Sequence, residues 1–154
     1  MKFSELSLNT NLIKAVDELG FTETTPIQAA AIPVVLKKQD VMAGAQTGTG
    51  KTAAFALPIL HLLAEKTSQN KHIKALVLTP TRELAQQVHK NFVEYAKYSD
   101  QKIALAYGGV SINPQIADIK NGAEVLIATP GRLLDHLING SLSLEHLEII
   151  VFDE

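Results

Sequence analysis

Apolar positions recur at helical spacing from the start of the chain: Leu8, Leu12, Ala15, Val16 and Leu19 share one face, and Gly20 follows as a stop. This spacing predicts an amphipathic helix. A second helix opens at "TPIQAAAIPVVLKK", where Thr25 is placed to cap, Pro26 suits the first helical position and Pro33 predicts a break or kink midway. "DVMAGA" (40–45) reads as a short strand running into a glycine-rich loop, and Lys51 to Lys66 as the following helix, bent at Pro58. Beyond it, short apolar runs alternate with helical patterns. "KALVLT" (74–79), "IALAY" (103–107), "EVLIA" (124–128) and "EIIVFDE" (148–154) predict four more strands. Between them, Thr81 to Lys97 places Leu84, Val88, Phe92 and Tyr95 on one helical face, and a polar helix covers Pro114 to Lys120. In "TPGRLLDHLING", Thr129 is expected to cap a helix that Pro130 starts and Gly140 ends. Strands alternating with helices predict an α/β domain with a mainly parallel sheet, covered on both faces. Functional loops in such domains gather at the carboxyl ends of the strands. The glycine loop, "PTREL", "GG", "TPGR" and the closing "DE" each follow a predicted strand, so all five clusters are expected on one sheet edge.

Composition narrows the picture. With 154 residues, 46% hydrophobic and 19% charged, the chain suits one domain or part of one. The formal net charge of −2 excludes a broad basic surface, so any nucleic-acid site must be local. The absence of cysteine excludes disulfides, zinc fingers and thiol nucleophiles. His61, His72, His89, His136 and His146 show no metal-ligand spacing. The first twenty residues carry Lys2, Glu5, Lys14, Asp17 and Glu18, which is no secretory signal. Ala53 to Ala64, the longest apolar stretch, contains Pro58 and His61 and falls short of the ~20 residues of a membrane span. A cytoplasmic protein with no membrane partner is the expectation.

Ala45 to Thr52 follows the pattern A-x-x-x-x-G-K-T. Gly48 and Gly50 let successive N–H groups turn toward one point, Lys51 reaches β/γ-phosphates and Thr52 supplies a hydroxyl for Mg²⁺. Upstream, the Gln28 amide can donate and accept together against the N6/N7 edge of adenine. Arg82 and Arg132 can pair with phosphates, Gly108 and Gly109 admit a close backbone, and Thr129 with Gly131 stands at a helix start that favours anions. Taken one at a time, each has a plain reading as an exposed side chain, a turn or a helix start. Their joint occurrence is what points to phosphate chemistry.

Five strings in this order resemble the amino-terminal half of the motif set of the DEAD-box RNA helicases: "GFTETTPIQ" (20–28), "AQTGTGKT" (45–52), "PTRELA" (80–85), "GG" (108–109) and "TPGR" (129–132), with "VFDE" at the close. The resemblance covers the whole chain, and its wording is most similar to the bacterial RhlE-type members. It implies a three-layer P-loop NTPase (RecA-like) domain, incomplete at its C-terminus, with 1–38 as the Q-motif region and 39–154 as a partial ATP-binding domain. It implies that Gln28 meets the adenine edge beside Phe21 and Thr25, and that Phe3, about seventeen positions before the Q motif, stacks on the base. Gln46, Thr47, Gly48, Thr49 and Gly50 would surround the phosphates. Lys51 and Thr52 would be the phosphate and magnesium residues, Asp153 a magnesium partner through water, and Glu154 the base orienting the attacking water. Pro80, Thr81, Arg82, Gly108, Gly109, Thr129, Gly131 and Arg132 would face RNA, reading sugar and phosphate and not bases.

ATP and Mg²⁺ are the implied cofactors; RNA and a second RecA-like domain are the implied partners. Thr24 departs from the family's usual proline, and the Ser-Ala-Thr coupling motif and the second domain's arginine fingers are absent. The parent protein would hydrolyse ATP to remodel short RNA duplexes. This chain alone would bind nucleotide weakly, would not unwind, and, with strand edges left exposed, would be either marginal alone or stabilised by partner strands or self-association. A metabolic P-loop kinase would leave "PTREL", "GG" and "TPGR" unexplained; a DNA translocase and a scaffold with a dead nucleotide site are the other rivals.

Overall fold

The computed structural model describes residues 1–46, 48–65 and 71–153. Two compact units divide it: Met1–Lys66 with Glu94–Asp100, and Thr67–Val93 with Gln101–Glu154.

In the first unit a short 3-10 turn, Phe3–Glu5, precedes helix α1 (Thr10–Glu18). Asn9 caps α1, its Oδ1 accepting from the Leu12 N–H at 3.0 Å, and the helix buries Leu12, Ala15 and Val16. Helix α2 (Pro26–Leu36) opens on a reciprocal cap. The Thr25 N–H donates to Gln28 Oε1 at 2.9 Å, while the Gln28 N–H donates to Thr25 Oγ1 at 3.4 Å. Helix α2 is unbroken at Pro33, and α3 (Lys51–Ala64), the helix expected after the glycine loop, runs through Pro58. An interior proline costs a helix about 3 kcal/mol. Packing of α2 on α3 offsets that cost, since Ile32, Leu57, Ile59 and Leu60 are all but completely buried.

The strand expected at 40–45 is also absent: the segment carries no ladder, Val41 is 48% exposed and Met42 fully so. Apolar composition alone cannot make a strand, because its backbone groups need a partner, and no described strand pairs with this segment.

The second unit holds four parallel strands, β1 (Ala75–Leu78), β2 (Lys102–Ala106), β3 (Ala123–Ala128) and β4 (Ile149–Phe152), in the order β2-β3-β1-β4. Helices α4 (Arg82–Tyr95), α5 (Asn113–Lys120) and α6 (Pro130–Ile138) follow β1, β2 and β3 in the chain. β3 is buried along its whole length, and Ala85, Val88 and Phe92 bury the inner face of α4. The carboxyl ends are level: Leu78 pairs with both Ala128 and Phe152, and Ala106 pairs with Ala128. Each ladder runs one residue further, with the N–H groups of Thr79, Thr129 and Asp153 donating to the carbonyls of Ala128, Ala106 and Leu78 at 3.0, 3.1 and 2.9 Å. Four of the five expected clusters therefore leave one sheet edge; the glycine loop, which lacks its strand, follows none. At the amino ends of the strands, buried Glu124 pairs with Lys71 at 3.2 Å and Lys74 at 3.6 Å.

Candidate functional site

The glycine loop is tied to the Q-motif helix by one side chain. Gln28, 3% exposed, donates from Nε2 to the Gly50 carbonyl at 3.1 Å while its Oε1 holds the Thr25 N–H. Gly50 is the N-cap of α3 at φ +80°, and a Cβ there would lie 2.2 Å from Gln28 Nε2. Glycine is thus required twice over, by conformation and by space. Gly48 also has a left-handed φ, +86°, with open space around it, and Thr49 Oγ1 donates to the Gln46 carbonyl at 2.6 Å. Lys51 and Thr52 occupy the first turn of α3, partly exposed at its positive dipole end.

Beside Gln28 opens a cavity of about 390 Å³, bordered by Phe21, Thr25, Gly48 and Gly50. Its size suits a small ligand. The Gln28 amide keeps a second hydrogen on Nε2 and a second lone pair on Oε1, the pair of functions an adenine edge requires. On this geometry the residues fit a nucleotide. Phe3 is not on that wall: it is 3% exposed and stacks on Phe21 at 6.0 Å and 29°, bracing the ring that is. Thr47 and Glu154 lie outside the described residues.

On the sheet edge of the second unit, Pro80 and Thr81 are exposed, and Thr81 Oγ1 caps α4 by accepting from the Leu84 N–H at 3.2 Å. Exposed Arg82 holds its guanidinium 5.8 Å from the centre of the Tyr107 ring, and a Cβ on Gly109 (φ +85°) would lie 3.2 Å from Arg82 Nη1. Gly108 and Gly131 are exposed. Thr129 takes the N-cap position of α6 but, contrary to expectation, forms no side-chain cap bond. Arg132 is turned inward: Nη2 donates to the Val110 carbonyl at 2.9 Å, Nη1 to Gln115 Oε1 at 3.1 Å, and Nε lies 3.4 Å from Asp135. Both arginines meet the Gly108–Gly109 loop, Arg82 from outside and Arg132 from beneath. Asp153 is 5% exposed at the end of β4. Among the described residues, no group of three His, Asp or Glu side chains could hold a metal ion.

Residues 25–154 match the sequence profile of the DEAD/DEAH box helicase family. The chain belongs to that family. It is 49% identical over 152 residues to the DEAD-box ATP-dependent RNA helicase RhpA of Helicobacter pylori, and 44% identical over 154 residues to the ATP-dependent RNA helicase CshA of Limosilactobacillus reuteri. These alignments cover 99% and 100% of this chain but only 30% of the length of each relative. The crystal structure of a DEAD box protein from the hyperthermophile Methanococcus jannaschii superimposes with a TM-score of 0.91 at 41% identity, over 100% of this chain and 41% of that one. The α/β fold is that of the RecA-like domains of DEAD-box proteins.

Two residues of this DEAD/DEAH box chain escaped sequence reasoning. Gln115 and His136 belong to none of the motif strings, yet they are 7% and 0% exposed and bond to each other at 3.1 Å. His136 also meets Ser141 Oγ at 2.9 Å. Burial, reinforced by the Arg132 charge and opposed by Asp135, holds its pKa below the ordinary histidine value. Gln115 in its polar helix carries no periodic signal of burial, and His136, although three residues from buried Leu133, is of a type that does not announce a buried partner, so only tertiary packing reveals the pair.

Proposed function

We propose that this chain is the ATP-binding part of the first RecA-like domain of an ATP-dependent RNA helicase, with 1–38 as its Q-motif region and 39–154 as the partial nucleotide-binding domain. The observation that carries the reading is the Gln28–Gly50 stitch beside the cavity. In the first unit, Gln28 with Thr25 and Phe21 reads the base, and Phe3 supports the aromatic wall. Gln46, Thr47, Gly48, Thr49, Gly50 and Lys51 hold the phosphates. Thr52 and, in the second unit, Asp153 serve Mg²⁺, which when bound neutralises phosphate charge. Glu154 orients the attacking water. The RNA face consists of Pro80, Thr81, Arg82, Gly108, Gly109, Thr129 and Gly131, with Arg132 acting through the loop it holds. Backbone reading of this kind gives affinity without sequence preference.

The full-length protein, with a second RecA-like domain, hydrolyses ATP and remodels short RNA duplexes, and a cytoplasmic location belongs to the same reading. This chain alone binds nucleotide weakly and does not unwind, since the arginine contributed by a partner element is worth ~10³-fold or more in related chemistry. The test is the full-length ATPase with and without single-stranded RNA. Strong stimulation by RNA, and little by DNA of the same length, is expected; an RNA-indifferent ATPase would point to a metabolic P-loop enzyme. Glu154→Gln should abolish turnover, whereas an inactive scaffold would lose nothing.

A further inference from the structure

Gln115 belongs to none of the motif strings, yet its side chain joins two of them. Its Nε2 donates to the Tyr107 carbonyl at 3.0 Å, one residue before Gly108, and its Oε1 accepts from Arg132 Nη1 at 3.1 Å. Arg132 in turn donates to the Val110 carbonyl at 2.9 Å, one residue past Gly109. The glycine pair is therefore gripped at its entry by Gln115 and at its exit by Arg132, and the two grips are bonded to each other.

The chemistry leaves a single arrangement for this amide. A guanidinium can only donate and a backbone carbonyl can only accept, so Oε1 must face Arg132 and Nε2 must face Tyr107. With Oε1 as acceptor, His136 Nε2 carries a hydrogen and donates to it at 3.1 Å. The loop needs such bracing. Gly108 and Gly109 have no side chains to pack, Gly109 sits at φ +85°, and both are exposed. Unbraced, two consecutive glycines would sample many backbone conformations, and each binding event would carry the cost of ordering them.

We propose that Gln115 is a positioning residue for RNA binding: it locks the Tyr107–Val110 loop to Arg132 and the first turn of α6, so that the Gly108–Gly109 backbone and Arg82 present one pre-formed surface to a sugar-phosphate chain. This rests on the RNA-helicase reading above. Gln115 touches no RNA itself and acts through the loop.

The experiment is steady-state ATPase of the full-length protein against single-stranded RNA, with a melting curve for each variant. Gln115→Met keeps the length of the side chain and removes all three of its bonds, to Tyr107, Arg132 and His136; it should raise the RNA concentration for half-maximal stimulation about 10-fold, the size of one lost charge-assisted bond, with KM for ATP and kcat at saturating RNA unchanged. Gln115→Glu keeps an acceptor for Arg132 but loses the donor to Tyr107, and should show a smaller rise in the same quantity. A folded Met variant with unaltered RNA half-saturation overturns the proposal, as does a rise matched by an equal rise in KM for ATP. Should the Met variant fail to fold, the Glu variant decides on the same two criteria. If RNA does not stimulate the parent protein, the helicase reading has failed and takes this inference with it; if RNA stimulates parent and variants alike, only the role of Gln115 is lost.

Discussion

Gln28 and Gly50 are defined by each other: the amide occupies the space that any β-carbon at position 50 would enter, at 2.2 Å. Gly50→Ala is therefore expected to destabilise the first unit by about 1–3 kcal/mol and, on the proposed function, to weaken nucleotide binding, because it adds a left-handed strain and displaces the Gln28 amide. Gly48→Ala bears the conformational strain alone, since nothing lies within 4 Å of its would-be Cβ. Thermal unfolding with a nucleotide titration should place Gly50→Ala below Gly48→Ala in both properties. His136 makes a prediction in pH. Its folded pKa lies below the ordinary 6.5, chiefly through burial, so on acidification the unfolded chain takes up the proton first. The stability it contributes is complete above the ordinary value and is lost as pH falls through that value toward the lowered one. His136→Gln should lessen the fall in melting temperature between about pH 7 and 5, read by calorimetry against the parent. The motif residues were legible in the sequence because each type has a distinct capability at a distinct spacing. The inward turn of Arg132 was not, since an arginine facing phosphate and one facing a carbonyl look alike in a string of letters.

Among the elements, caps and hydrophobic faces followed the sequence closely. Thr25 and Pro26 open α2 as expected, and Val88 and Phe92 turn toward the core as their spacing requires. Phe92 is completely buried in α4, and Phe92→Ala should cost about 3–5 kcal/mol, measured as a lowered denaturant midpoint with an unchanged slope. Residues 40–45 depart from expectation: they carry a real strand-like composition, and Pro33 and Pro58 carry a real local penalty, but in each case the outcome depends on neighbours. The prolines sit in helices whose packing outweighs the lost hydrogen bond, while 40–45 has no described strand to bond with.

At the scale of the whole molecule, the outer edge of β4 pairs with no described strand, and Ile150 and Phe152 are 45% and 73% exposed. An apolar, unpaired edge invites another strand. The chain on its own is expected to self-associate, and Phe152→Lys should shift it toward monomer in sedimentation velocity at matched concentration; an unchanged distribution would place the contact elsewhere. The sequence by itself determined the family, the alternation of strands and helices and the place of the glycine-rich loop ahead of α3, because these rest on local spacing and on capabilities built into single residue types. Only the tertiary structure decided that Phe21 and not Phe3 lines the cavity, that Arg132 braces a loop, and that Gln115 and His136 are buried partners. Those outcomes depend on which groups approach across long separations in the chain, where desolvation and hydrogen-bond pairing set the energies, and no local pattern encodes them.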